Sequence, residues 1–517
     1  MKLKDLVFPI ALGLLATYLI QNWFFGGKGT KVQDSPVGFV APKSKQEIKL
    51  LNREIDFIDE KRLQERVLTE VETDLATYVF SSDGASLDRL SYKGKTNGKL
   101  AGLGTVFPVS DMQRDDTCLL LAFSEKTPYY YKFISKTDKS DSVQVLYRYE
   151  SPNSDYSVDK TFIVYKKTYK MDLMFAVTPK KKVEEGLETR VFYPSPFMPE
   201  LGKNDVISAV IINKLGKFQK TNIKSSEKIL GTGSYLPKLF GSDSKYFVHA
   251  MIEDPQGYAQ RAYYKITDGT KLFSILEGPT VNEKQVYTVS FYFGPKEEDA
   301  MAMVDPRLEK TLEYSGWFSV ISKILLKILK FLNKYLKNYG LAIIVLTLMI
   351  RLLMLPFSIK AEKGMKQRME FQKKLEYLKK KHKNDKAAFA REQAELIKRH
   401  GMPGLGGCLP LLIQIPIFIA LSNLLRSSIE MYRAPFAFWI TDLSAKDPYY
   451  VLPALMSLAM LAQAFTVDPK QRFMMIAMAL VIGPLFATFP AGLSLYIVAS
   501  VGLGVLQTFL IKKFKSA

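Results

Sequence analysis

The chain has 517 residues, 47% hydrophobic and 24% charged, with 72 Lys and Arg against 51 Asp and Glu. Its three histidines, scattered along that length, exclude a histidine-based metal cluster or triad, and its two cysteines exclude a disulfide framework. The formal charge of +21 fits nucleic acid, anionic lipid or ribosome contact equally, so only the placement of the charge can decide.

The apolar residues are bunched into long runs. Leu6 to Phe25 gives roughly the 20 residues that cross about 30 Å of hydrocarbon. Lys2 and Lys4 precede it, Trp23, Phe24 and Phe25 close it, and Tyr18 to Asn22 offers no small-residue cleavage site. Residues 1–26 therefore read as an uncleaved signal anchor. Residues 27–40, rich in Gly, Lys, Ser and Pro, read as a linker. Residues 41–315 have β texture: Tyr129 to Ile134, Val143 to Tyr149, Thr161 to Tyr165, Met171 to Val177 and Val286 to Phe293 are β-branched and aromatic runs bounded by turn residues. Many short strands without regular helices between them predict a sandwich.

Residues 316–337 change character. Lysines at 323, 327, 330, 334 and 337 keep a three-and-four spacing, and Ile321, Ile324, Leu325, Ile328, Leu332 and Leu336 take the other side. The pattern predicts a helix lying in the membrane interface, anchored by Trp317, Lys323, Lys327 and Lys330 toward headgroups including anionic lipids. A core-facing helix of the soluble domain is the alternative. Residues 338–357 form a second span and carry Arg351 within an otherwise apolar run. Residues 358–403 read as a basic helical hairpin with a turn at His382 to Asp385, Asn384 or Asp385 capping the second arm and Gly401 and Pro403 stopping it. Between Lys360 and His400 it holds 14 basic residues against six acids, among them Lys366, Arg368, Lys373 and Lys380.

Residues 404–511 supply four more spanning runs, Leu409 to Leu425, Tyr450 to Thr466, Phe473 to Phe489 and Leu493 to Ile511, making six in all, and residues 512–517 are a short basic tail. The positive-inside rule makes the hairpin cytoplasmic and, with Lys2, Lys4, Lys470, Arg472, Lys512, Lys513 and Lys515, puts both termini inside and the β domain outside. Cys118 and Cys408 then lie on opposite sides and cannot pair. The basic hairpin is either a solvated face that fixes topology or a docking site for RNA, anionic lipid or an acidic protein.

Enzymatic signals are missing. There is no P-loop, HExxH, G-x-S-x-G or C-x-x-C, and Gly231 to Ser234 and Gly404 to Gly407 read as loop or helix-entry glycines. The chain reads as a non-enzyme without a cofactor. Polar residues inside the spans are more telling: Thr347, one turn before Arg351, then Gln414, Ser422, Asn423, Ser494, Tyr496 and Ser500. Each alone is the usual helix-to-helix hydrogen bond. Together with Arg351, which costs about 2.5 to 3.5 kcal/mol near the middle of a span, they point to a wet cavity. Arg351 lies six residues before Phe357, hence about 9 Å inside the cytoplasmic end, where snorkelling to the headgroups is the competing reading. No spanning run contains Asp or Glu, which argues against a proton or cation pathway.

Gly406-Gly-Cys-Leu-Pro-Leu-Leu-Ile-Gln-Ile-Pro-Ile-Phe-Ile-Ala-Leu421, Ala434-Pro-Phe-Ala-Phe-Trp-Ile-Thr-Asp-Leu443, the Arg351 to Pro356 stretch and Phe489-Pro-Ala-Gly-Leu493 resemble the YidC/Oxa/Alb family of membrane protein insertases, in its Gram-negative form. The resemblance implies a polytopic α-helical membrane protein of six transmembrane helices, five of them forming the insertase core. A large exported all-β supersandwich domain and a cytoplasmic helical hairpin complete it. It implies an inner-membrane insertase and chaperone whose hydrophilic groove, open to the cytoplasm and holding Arg351, receives nascent membrane proteins. Gln414 and Tyr496 match polar groove positions. The implied partners are the Sec translocon including SecDF at the β domain and ribosome or targeting factors at the hairpin, with no DNA. Ile497 stands where many members carry a second tyrosine, and the short tail weakens tail-mediated ribosome binding. Residues alone leave a membrane-anchored polysaccharide-binding or modifying protein as the second reading, and a small-solute transporter as the third.

Overall fold

The computed structural model describes residues 39–40, 54–60, 62, 65–96, 99–105, 114, 117–152, 154–180, 186–196, 206–223, 234–267, 271–312, 319–382, 385–400, 409–465, 472–473, 476, 479–480 and 486–516. The expected anchor at 1–26, the residues around Trp317, the stop at Gly401 and Pro403, and most of the run from Phe473 to Phe489 lie outside them. The described residues fall into two units, one ending at Leu312 and one beginning at Ser319.

The first unit is built on strands. A nine-stranded antiparallel sheet runs in spatial order Phe218–Asn222, Ser208–Asn213, Pro237–Asp243, Phe247–Glu253, Gln285–Pro295, Lys170–Pro179, Tyr156–Tyr165, Ser142–Tyr149 and Lys132–Asp138. Leu173 lies opposite both Phe162 and Val289, so Phe162, Leu173, Val289 and, at period two, Phe291 and Phe293 share one face. A six-stranded sheet covers part of that face through Tyr193, whose ring centre is 5.2 Å from that of Phe291, and Tyr264, 4.3 Å from Phe240. A four-stranded sheet covers the rest through Phe80, stacked 4.6 Å from Phe162, and Tyr92, stacked 4.6 Å from Phe247. Buried tyrosines need partners for their hydroxyls. Tyr193 donates to the Phe240 carbonyl at 2.7 Å, and Tyr264 to Gly241 at 2.6 Å. Phe39–Val40, within the segment read as a linker, pairs antiparallel with Ser234–Tyr235 at the edge of the six-stranded sheet.

Two buried charges organise this unit. Lys160 is fully enclosed, and its ammonium donates to the carbonyls of Gly84 (3.0 Å), Ala85 (2.6 Å) and Leu119 (2.8 Å). All three carbonyls belong to residues with positive φ, +68°, +40° and +62°. The left-handed turns aim them at one point, which ties the four-stranded sheet and the segment before Leu120–Phe123 to the large sheet. Asp243, also fully enclosed, meets Lys296 at 2.6 Å and Lys220 at 2.9 Å. The unit closes with helix α1, Glu298–Val304, and a 3-10 turn, Pro306–Thr311, entered through Asp305, which accepts from the Arg307 amide at 2.8 Å.

The second unit is helical: α2 Ser319–Leu336, α3 Tyr339–Lys381, α4 Lys386–His400, α5 Leu409–Ser427, α6 Val451–Ala464 and α7 Ala491–Ser516. In α2 the packed side is Ser322, Leu325, Leu326 and Leu329, with Ser322 donating to the Ala420 carbonyl of α5 at 3.0 Å. Val320, Ile324, Phe331 and Tyr335 lie exposed on the other side, beside Lys327. The apolar side expected from the lysine spacing is thus split: Leu325 packs inward and Ile324 outward, because the helix must satisfy protein neighbours and surroundings together. Among the described residues one stretch, Tyr339–Ile359 of α3, is long and apolar enough to cross a membrane, with shorter apolar helices at Val451–Ala462 and Ala491–Gln507.

Candidate functional site

Arg351 sits near the middle of the apolar stretch Tyr339–Ile359 of α3, and its guanidinium reaches α7. One terminal nitrogen donates to the Ser500 carbonyl at 2.5 Å and to the Ser500 hydroxyl at 3.0 Å. Among the described residues no carboxylate pairs with it. The cation therefore rests on a hydroxyl and a helix carbonyl, neutral groups that hold it without cancelling its charge. Tyr496 lies buried one turn earlier on α7.

Gly504 lies directly beneath the guanidinium. A Cβ there would stand 3.1 to 3.3 Å from the guanidinium atoms. Tyr496, Ser500 and Gly504 follow at i, i+4 and i+8, so they share one face of α7. The first two were expected from sequence. Gly504 was missed, although the repeat of four from Ser500 was the available signal.

Of the other expected groove residues, Thr347 is buried and donates back to the Ile343 carbonyl at 2.6 Å within α3, one turn from Arg351 but not bonded to it. On α5, Ser422 is fully buried, and the Asn423 carbonyl accepts from Ser427 at 2.6 Å. Ser494 is buried at the start of α7. The structure does not bring these three to the guanidinium by any hydrogen bond described. The Gln414 side chain lies outside the described residues.

At the far end of α3, His382 ends the helix and Asp385 caps α4, accepting from the amides of Ala387 (3.0 Å) and Ala388 (2.9 Å). Glu392 of α4 meets Lys381 at 2.9 Å and His382 at 3.0 Å, fastening the two helices at their turn. Lys366 and Arg368 fall on α3, where Lys373 and Lys380 are exposed. On α2, Lys327 is exposed, while Lys330 meets Glu430 at 3.0 Å.

Two family models match the chain: the 60Kd inner membrane protein over residues 331–517 and the YidC periplasmic domain over residues 68–328. The chain is 30% identical over 461 residues to the membrane protein insertase YidC of Geobacter sulfurreducens, an alignment covering 86% of this chain and 85% of the relative. The chain belongs to the YidC family. Another member of that family, from Geotalea daltonii, is 41% identical over 259 residues, 49% of each chain. The crystal structure of an active YidC insertase with its first transmembrane domain resolved is 20% identical, with a TM-score of 0.37, and covers 89% of this chain and 96% of its own. The family places the helical unit in an inner membrane and names the β unit periplasmic.

Proposed function

We propose that this chain is a membrane protein insertase and chaperone of the bacterial inner membrane, acting alone or with the Sec translocon. The observation that carries the reading is Arg351 held by Ser500 with no carboxylate partner among the described residues. A cation left uncancelled in a low-dielectric cleft attracts an acidic client segment more strongly than the same charge in bulk water. The client's polar tail is received in a hydrophilic groove open to the cytoplasm and lined by Arg351, Gln414, Tyr496 and Ser500. Its apolar helix leaves into lipid. Burying each large apolar client side chain contributes about 1.5 to 3 kcal/mol, so neither nucleotide nor cofactor is required and the cycle involves no bond chemistry.

Both termini lie in the cytoplasm in this reading, with six spans. The turn between α3 and α4 receives ribosome or targeting factors, α2 rests on anionic lipid headgroups, and the β unit meets SecDF. Nucleic acid as DNA has no part. The test is to place photo-crosslinkers at Gln414 and Tyr496 during synthesis of a single-span client with an acidic tail. Nascent-chain adducts that fall in Arg351→Ala are expected, and adducts to lipid alone would overturn the reading.

A further inference from the structure

The segment between α5 and α6, residues 428–450, is an ordered rim. Asp447 is buried and accepts from the Trp439 indole (3.0 Å) and the amides of Tyr449 (3.1 Å) and Leu452 (2.7 Å). Asp442 accepts from the amides of Arg433 (3.0 Å) and Ser444 (2.8 Å). The rim is fastened to the starts of two other helices: Asn338 donates to the Phe436 carbonyl at 2.8 Å, and the Gly492 amide to Leu443 at 2.8 Å. Gly340, in the first turn of α3, is covered by the Phe436 ring so closely that a Cβ would lie 2.0 Å from it.

This frame holds large aromatics outward. Phe438 is 93% exposed at the tip of a turn closed by the Phe436 amide on Ile440 (2.9 Å), and its φ of +53° is one that a bulky side chain rarely adopts. Tyr449 is 71% exposed, and Tyr450 is 56% exposed with φ +56°. A left-handed backbone costs about 1 to 2 kcal/mol per residue, and a phenyl ring kept in water returns nothing for it. Such strain points to a use. The spacing along α3 indicates which: from Tyr339, beside the rim, to Lys360, the first lysine beyond the apolar stretch, is 21 residues at 1.5 Å, about 31 Å, the thickness of a bilayer's hydrocarbon.

We propose that Phe438, Trp439, Tyr449 and Tyr450 form a lipid-docking rim that seats in the headgroup boundary of the leaflet opposite Lys360. The surface it fits is a phospholipid headgroup interface, since Asp442 and Asp447 are taken up by donors within the rim and leave aromatic rings, with the exposed Lys446, as the chemistry it presents. The seat fixes the depth of Arg351, twelve residues or about 18 Å along α3 from Tyr339. The inference rests on α3 spanning the bilayer, as proposed above.

The test uses the full chain in vesicles of phosphatidylcholine brominated either near the headgroup or near the acyl terminus. With Trp23→Phe and Trp317→Phe, Trp439 is the sole tryptophan. Headgroup-side bromines should quench it about twofold more than deep ones. In a chain with all three tryptophans replaced by Phe, Leu348→Trp, exposed on α3 nine residues or about 14 Å from Tyr339, should show the reverse order. Phe438→Asn, which suits the left-handed backbone and so keeps the fold, should lower Trp439 quenching. An unquenched Trp439 beside a quenched Leu348→Trp overturns the rim and leaves the spanning reading intact. Neither quenched overturns both. Trp439 quenched mainly by deep bromines, or unaffected by Phe438→Asn, also overturns the rim.

Discussion

The two units treat a buried cation in opposite ways. In the β unit, Lys160 has three carbonyls on its ammonium and Lys296 has the Asp243 carboxylate at 2.6 Å, so each charge is answered inside the fold. In the helical unit, Arg351 bonds to one serine, while its Nε meets no hydrogen-bond partner. A saturated cation is a strut and its removal costs stability. An under-coordinated one keeps attraction in reserve, and its removal should cost function.

The largest effect on insertion should come from breaking this contrast on the helical side. A charge-assisted hydrogen bond contributes about 1.5 to 3 kcal/mol, or roughly ten- to a hundredfold. Arg351→Glu should lower insertion of acid-tailed clients by at least that factor, measured by protease protection of the translocated tail, while clients without acidic tails change less. Gly504→Leu should imitate it. The contact at 3.1 to 3.3 Å leaves no room for a branched side chain, so the guanidinium must leave Ser500. Equal insertion of both client types by Gly504→Leu would show that the position of the charge is immaterial.

Much of this contrast was legible in sequence on one side only. Arg351 stood out because hydropathy makes any charge in a long apolar run visible, and the strands 142–149, 156–165, 170–179 and 285–295 followed from β-branched and aromatic runs. Lys160 did not stand out, because a lysine in a strand normally points to solvent and its three carbonyls are 41 to 76 residues away in the chain. The span placed at 338–357 and the hairpin arm after it form one 43-residue helix, α3, continuous through Pro356. Hydropathy marks where a helix leaves apolar surroundings, not where its hydrogen bonding stops.

On the β side, Lys160→Met should destabilise by about 3 to 5 kcal/mol, since it strands buried carbonyls. Cys118, free and buried next to Leu119, is the reporter. Burial holds its thiol well above the ordinary range, so a thiol reagent reads opening of the domain. In a Cys408→Ser background, labelling of Cys118 should quicken at least a hundredfold in Lys160→Met. Arg351→Ala should leave that rate unchanged.

Acidification should sharpen the contrast further. Burial pushes His249 from 6.5 down to about 3, with the ring nitrogen 3.0 Å from the Pro194 carbonyl. The unfolded imidazole takes a proton near 6.5 and the folded one only near 3, so stability is full above 6.5 and is lost as pH falls through that window. Cys118 exposure, read at the labelling step by a reagent that does not need the thiolate, should rise as pH falls below 6.5, and His249→Phe, which keeps the ring beside Phe293, should flatten the slope.

The smallest effects should come from single ion pairs, one in each unit. Arg148 and Asp159, on neighbouring strands, make two hydrogen bonds of 2.6 and 2.9 Å, but their side chains are 45% and 36% exposed. Screening leaves such a pair about 0 to 1 kcal/mol, so Arg148→Ala should barely move Cys118 labelling. Lys330 and Glu430 tie α2 to the rim at 3.0 Å with Glu430 only 9% exposed, and Ser428 adds a hydrogen bond of 2.6 Å. Glu430→Gln keeps the shape and removes the charge, so its effect on insertion measures how firmly α2 must be held to the rim. A loss larger than that of Gly504→Leu would reverse the order proposed here, making rim geometry rather than the Arg351 charge the main determinant of insertion.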